Sequence, residues 1–152
     1  MKRFKYSLEN VLHYKEQILD SIKAEHGTLL AQIRKKEREI QNLEEKLVSA
    51  QDKIDELKKQ DVQIKDICLY GMYISEREDQ TQKKQEQLQL LQQQEEKKKE
   101  QVIAAKIDTS RYEKLKDRRQ NEYEKAAKKA QELFIEEYAS RTARYSQNRE
   151  VI

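Results

Sequence analysis

The sequence predicts an all-α fold, an antiparallel two-helix coiled-coil hairpin drawn out into a long rod. Three observations carry that prediction. First, the 152 residues include 32 Lys+Arg and 29 Asp+Glu but only two glycines and no proline. Ordinary domains hold roughly 7% glycine and 5% proline, and tight turns draw on both for their special backbone angles. A β-sandwich, a Rossmann fold or a compact α/β enzyme is therefore excluded. The hydrophobic share is 36%, against roughly 45–50% in a rounded domain. Second, the apolar residues of the first half recur every 3.5 residues. Third, a looser series with the same spacing runs through the second half.

The first helix is predicted over about residues 7–59. Ser7 stands just before the periodic stretch, where a hydroxyl can accept a first-turn N–H, and Tyr6 with Val11 fits the hydrophobic staple across a helix start. From Leu8 onward a 4-3 alternation can be counted. One set is Leu12, Leu19, His26, Ile33, Ile40, Leu47, Ile54, Asp61 and Cys68; the other is Leu8, Lys15, Ile22, Leu29, Lys36, Leu43, Ala50, Leu57, Ile64 and Gly71. Fourteen of these 19 positions are apolar, and a sustained spacing of 3.5 is the mark of a left-handed coiled coil. Lys15, His26 and Lys36 are polar seam members that weaken packing locally and help to fix register.

The chain then reverses. Asp61 is a good N-cap for a new helix, and Gly71 also falls on the series, but an interior glycine costs only about 1 kcal/mol and does not force a helix to end. The reading places the turn at about 59–64 with Gly71 inside a second helix over about 64–145, the whole chain, 1–152, forming a single domain. Partners across such a turn sum to about 122–126. The second series is Ile67, Tyr70, Ile74, Leu88, Leu91, Val102, Ala105, Tyr112, Tyr123, Ala126, Ala130 and Leu133, interrupted by Arg77, Thr81, Lys84, Glu95, Lys98, Thr109, Lys116 and Arg119. Residues 80–99 are rich in Gln, Glu and Lys, which are good helix formers. The second helix is thus expected to be continuous but loosely held, to overhang after about Glu124, and to fray beyond Tyr145. A helix of some 50 residues is ~75 Å long at 1.5 Å per residue.

Charge and motif content narrow the function classes. The net charge is +3, with acids interleaved among the bases, whereas a nucleic-acid-binding domain shows a basic face. Lys97-Lys98-Lys99, Arg118-Arg119 and Lys128-Lys129 read as solvated helix surface. One cysteine, Cys68, allows no intrachain disulfide, and beside Ile67 and Leu69 it reads as a small buried hydrophobe. The opening residues lack the apolar core of a secretory signal. The run from Ile67 to Ile74 is far below the ~20 residues of a spanning helix. No phosphate-binding GxxxxGK[ST] loop and no HExxH motif occurs, and His13 and His26 lack companions at ligand spacing. No enzyme activity, metal or cofactor is expected.

The aromatics are more informative. Eight tyrosines accompany two phenylalanines. Tyr70 and Tyr73, with Met72 and Ile74, form a patch just past the proposed turn. Two readings stand: the rings close the end of the hairpin, or they form a docking surface, since Tyr and Met are enriched at interfaces.

Four collinear motifs resemble the FliJ family. Phe4-Lys5-Tyr6-Ser7-Leu8-Glu9-Asn10-Val11-Leu12 is similar to its aromatic-x-aromatic-x-Leu-x-x-Val/Ile-Leu opening. Leu69-Tyr70-Gly71-Met72-Tyr73-Ile74 resembles its Tyr-x-x-aromatic-aliphatic element after the central turn. Tyr112-Glu113-Lys114-Leu115-Lys116-Asp117-Arg118-Arg119, followed by Glu122-Tyr123, resembles its basic Leu-Lys-x-Arg segment. Glu132-Leu133-Phe134-Ile135-Glu136-Glu137-Tyr138-Ala139 is similar to its Leu-Asp-Glu-x-Ala element, with Glu136 in place of Asp. Arg77, Gln80 and Lys84 depart from the apolar or smaller residues usual in the family.

The resemblance implies a non-enzymatic stalk of the bacterial flagellar type III export apparatus, built like the gamma subunit of rotary ATP synthases. It implies insertion into the hexameric export ATPase FliI, contact with the cytoplasmic domain of the export gate FlhA, and interaction with export chaperones. It also implies a role in flagellum biogenesis, motility and chemotaxis. The location implied is cytoplasmic, peripheral at the inner membrane without insertion in it. By the same resemblance Tyr70, Tyr73 and Ile74 are the gate-docking candidates, and Arg118, Arg119 and Tyr123 the ATPase-ring candidates. The alternatives are a structural or scaffolding coiled coil, including a parallel homodimer of one unbroken helix, and an injectisome secretion stalk.

Overall fold

The structure, a computed structural model, describes residues 2–60 and 63–150. It consists of two helices, α1 (Glu9–Lys59) and α2 (Ile64–Glu150), of 51 and 87 residues. They pack against each other antiparallel within one chain, and the described residues include no strand. Glu9 in the first turn of α1 and Lys58 and Lys59 in its last complement the helix dipole. At the reversal, Gln60 N–H donates to the Leu57 carbonyl at 3.2 Å and Asp66 N–H to that of Gln63 at 3.0 Å. Asp61, read as the N-cap of the second helix, lies outside the described residues. Gly71 sits inside α2.

The chain divides into two compact units. One is Leu19–Ala104. Its α1 portion buries Leu19, Ile33, Ile40, Leu43, Ala50 and Ile54, the 4-3 stripe expected of a coiled-coil seam. The facing stripe of α2 is different in kind. Leu88, Leu91 and Val102 are half-buried there, but along the same stripe stand Arg77, Thr81, Lys84, Glu95 and Lys98 at the same depth or deeper. These residues do not interrupt the seam; they are seam members, held by hydrogen bonds. Lys84 Nζ donates to Glu39 at 3.1 Å, Lys98 Nζ to Glu25 at 2.6 Å, and His26 Nε2 lies 2.8 Å from Glu95. Thr81 returns its hydroxyl to the Arg77 carbonyl. The pairs Glu25–Lys98 and Glu39–Lys84 both sum to 123, within the expected register.

The other unit is Met1–Ile18 with Ala105–Ile152. Tyr6 and Leu12 are buried, as is Thr109 at 2% exposure. The Tyr6 hydroxyl donates to the Tyr112 carbonyl at 3.1 Å. Lys15 meets Asp108 at 2.7 Å, and Lys116 meets Glu9 at 2.9 Å. The hydrogen bond that Lys15 donates to Asp108 raises the Lys15 pKa, the one that Lys116 donates to Glu9 raises that of Lys116, and in the other unit the one that Glu39 accepts from Lys84 lowers that of Glu39.

Three expectations change. Cys68 is exposed, as are Ile64 and Gly71, because α2 turns a new face, through Ile67, Tyr70 and Ile74, toward α1. A heptad phase counted along α1 does not carry through a reversal. Ser7 is not the cap: α1 starts at Glu9, and the Ser7 hydroxyl accepts from Arg119 Nη1 at 2.8 Å. The second helix, expected to about residue 145, continues to Glu150, through Gln, Arg and Glu and without a Gly or Pro to break it.

Candidate partner-binding site

The central patch lies in the unit Leu19–Ala104, on the first three turns of α2. Successive positions three and four apart share a face, so Ile67, Tyr70, Ile74 and Arg77 turn toward α1, and all four are half-buried. Tyr73 borders them, its ring 5.0 Å below the Arg77 guanidinium, a cation–π distance. Arg77 Nη1 donates to Gln80 at 2.9 Å, while its Nε is buried without a hydrogen-bond partner. The departure at Arg77 therefore serves as a lid over Tyr73.

Tyr70, Tyr73 and Ile74 are accordingly brought together, but all three are partly committed to the hairpin. The exposed apolar side chains beside them are Leu69 and Met72, 59% and 71% exposed. Leu69, Tyr70 and Tyr73 line an open groove of about 200 Å³. Sequence reasoning put the docking weight on Tyr70, Tyr73 and Ile74, counted Met72 in the patch without making it a docking candidate, and passed over Leu69. The signal for them was available: both fall off the 67–70–74–77 stripe, so a helix holding that stripe inward must turn them outward.

The second set of candidates lies in the other unit. Arg118 is exposed. Arg119 donates to Ser7 and stacks its guanidinium 5.9 Å over the Tyr6 ring. Tyr123 donates to the Lys2 carbonyl and meets the Phe4 ring at 5.5 Å between centroids. Arg119 and Tyr123 thus bind the segment before α1 to α2, and Arg118 is the one of the three turned wholly to solvent. From residue 128 to 150 every residue of α2 is exposed, including Phe134 at 70% and Tyr138 at 68%.

No cluster of three or more His, Cys, Asp or Glu at metal-binding geometry occurs among the described residues, and no helix among them is long and apolar enough to cross a membrane. Paired helices with large apolar side chains left in solvent define the class of helical proteins that work through contact with partners. The sequence profile of the family described as Flagellar FliJ protein matches residues 4–148. The chain belongs to the FliJ family, and with it to flagellar protein export. No curated protein and no solved structure matches it.

Proposed function

We propose that this chain is a non-enzymatic stalk that couples the hexameric export ATPase (FliI) to the export gate (FlhA) and engages export chaperones, working from the cytoplasmic face of the inner membrane. The observation that carries the reading is the family match along 4–148 on an antiparallel helix pair whose longer member leaves residues 128–150 entirely exposed. A stalk needs a stiff helix pair and a bare end, and α2 supplies the bare end. In this reading Arg118, with Arg119 and Tyr123 beside it, meets the ATPase ring. The groove of Leu69, Tyr70 and Tyr73, continued by Met72 and Ile74, receives the gate.

The test is the hydrolysis rate of the cognate ATPase with and without this chain. Full-length protein is expected to raise the rate without binding nucleotide itself. Removal of residues 1–12 or of 125–152 is expected to abolish the rise. An unchanged stimulation by both truncated proteins, each shown helical by circular dichroism, defeats the stalk reading.

A further inference from the structure

Tyr123, a candidate for contact with the ATPase ring, is already occupied by the chain's own first residues. Across the helix pair Lys15–Asp108 sums to 123 and Glu9–Lys116 to 125. Tyr123 therefore stands level with about residue 2, well before α1 begins at Glu9. No helix faces it there. Residues 2–6 have no helical structure and take the place of α1. Tyr123 donates its hydroxyl to the Lys2 carbonyl, and the Phe4 ring tilts by 45° against its ring, 5.5 Å between centroids. Tyr123 is half-buried as a result, although Asn121, Glu122, Glu124 and Lys125 around it are exposed.

The segment is held firmly at one end and weakly at the other. Its firm end is Tyr6, 7% exposed, whose hydroxyl donates to the Tyr112 carbonyl at 3.1 Å. Arg119 clamps that end, donating Nη1 to the Ser7 hydroxyl at 2.8 Å with its guanidinium 5.9 Å over the Tyr6 ring. Arg119 itself stays exposed. Ahead of Tyr6 the hold is slight: Lys2, Arg3 and Lys5 are exposed and Phe4 is half-buried. An open hollow of about 520 Å³, lined in part by Phe4, Ser7, Asn10 and Lys116, runs beside the segment. One ring contact and one hydrogen bond thus oppose the backbone freedom that four residues lose when fixed. Segments with so few contacts open far more readily than the helices they lie on.

We propose that residues 2–5 are an autoinhibitory strap, hinged at Tyr6, that occupies Tyr123 in the free chain and swings away when the chain enters the ATPase ring. The proposal rests on the ring-contact reading of Tyr123. A site that must first be unmasked binds with its intrinsic affinity reduced by the unmasked fraction. The strap therefore sets the concentration at which the chain engages the ring, not the rate that the engaged ring sustains.

Two variants loosen the strap without touching its hinge or Tyr123: Phe4→Ala, and deletion of residues 2–5. Both keep Tyr6, Glu9 and Leu12, which removal of residues 1–12 takes away. Opening is read on the chain alone as trypsin cleavage after Arg3 or Lys5, since cleavage follows the open population when closing is fast. Phe4→Ala is expected to be cut there about fivefold faster than wild type, the worth of one aromatic pair, and to melt with wild type. In titrations of the cognate ATPase, Phe4→Ala is expected to reach half-maximal stimulation at about a fivefold lower concentration. The deletion is expected to fall at least as low, and both are expected to reach the wild-type maximum. A half-maximal concentration equal to or above that of wild type in either variant overturns the proposal, because the strap is then neutral or is itself a ring contact. So does cleavage of Phe4→Ala at the wild-type rate. Wild-type protein that gives no stimulation at all defeats the stalk reading, and the strap falls with it; stimulation by wild type that the variants merely match defeats the strap alone.

Discussion

Thr109 shows how single residues set this structure. It is the most buried residue described, yet it is polar, and its hydroxyl donates to the Ala105 carbonyl at 2.8 Å with a long 3.4 Å approach to the Lys15 carbonyl. Both carbonyls lie inside helices, where a backbone N–H already satisfies them. Removing the hydroxyl while keeping the shape therefore strands no partner, and such exchanges are nearly neutral or stabilising. Thr109→Val is expected to melt at or above the wild-type temperature. Thr109→Ala, which also deletes a methyl, is expected to lose about 1 kcal/mol. A Thr109→Val protein that melts well below wild type would show instead that the contact with Lys15 holds the helices together.

The ion pairs give the residue scale its pH dependence. Glu39 is held below its ordinary value of 4.5 by the hydrogen bond from Lys84, so its contribution is present above that value and is lost as pH falls through the lowered one. Lys15 and Lys116 are held above 10.5 by Asp108 and Glu9, so their contributions are complete below 10.5 and are lost as pH rises through the raised values. Thermal unfolding followed across pH should show a plateau between these limits and a decline on both sides. Lys84→Gln should flatten the acid side and leave the alkaline side alone; an unaltered acid limb in that variant would remove Glu39 from the account. All of these pairs reach solvent, so added salt should lower the plateau.

At the scale of elements, α1 and α2 pose different problems to a reader of the sequence. The seam of α1 is apolar and could be counted directly: Leu12, Leu19, Ile33, Ile40, Leu43, Ala50 and Ile54 are all buried. The seam of α2 was read as broken because Lys84, Glu95, Lys98 and Thr109 are polar, and only their partners on α1 reveal them as seam. Hydrophobic periodicity registers what is excluded from water, not what is paired across a helix interface. The candidate site divided in the same way. The grouping of Tyr70, Tyr73 and Ile74 followed from spacing, while the exposure of Leu69 and Met72 required knowing which stripe faces α1.

His26 and Glu95 test the element-scale account. Their side chains are 20% and 23% exposed and 2.8 Å apart. A pair withdrawn in part from water, as this one is, adds little stability against apolar replacements, but breaking one partner out of it leaves the other without its hydrogen bond at the seam. His26→Leu/Glu95→Leu is expected to melt several degrees above wild type. Glu95→Leu alone should melt below the double variant, since His26 then loses its acceptor. If the single and double variants melt alike, the two residues are not coupled and the pair does not set register.

At the scale of the whole molecule, the groove of Leu69, Tyr70 and Tyr73 and the bare end of α2 belong to different units of the chain, so substitutions can separate the two proposed functions. Tyr70→Ala/Tyr73→Ala alone is ambiguous, because both rings also pack in the hairpin and Tyr73 lies under Arg77. Leu69→Ser/Met72→Ser is cleaner: both side chains point to solvent, and exposed substitutions usually change stability by no more than about 0.5 kcal/mol. If the groove receives the export gate, this variant should melt with wild type, stimulate the ATPase normally, and bind the gate's cytoplasmic domain at least tenfold more weakly. A tenfold loss corresponds to about 1.4 kcal/mol, within the range found when a contact residue at the centre of an interface is truncated. Tyr70→Ala/Tyr73→Ala should add a melting loss to the same binding defect. Calorimetric titration of gate protein with each variant, beside its melting curve, distinguishes the roles. Wild-type affinity in Leu69→Ser/Met72→Ser would show that the accessible face is not the docking surface. Wild-type affinity in folded Tyr70→Ala/Tyr73→Ala as well would leave the tyrosines with hairpin closure as their whole role.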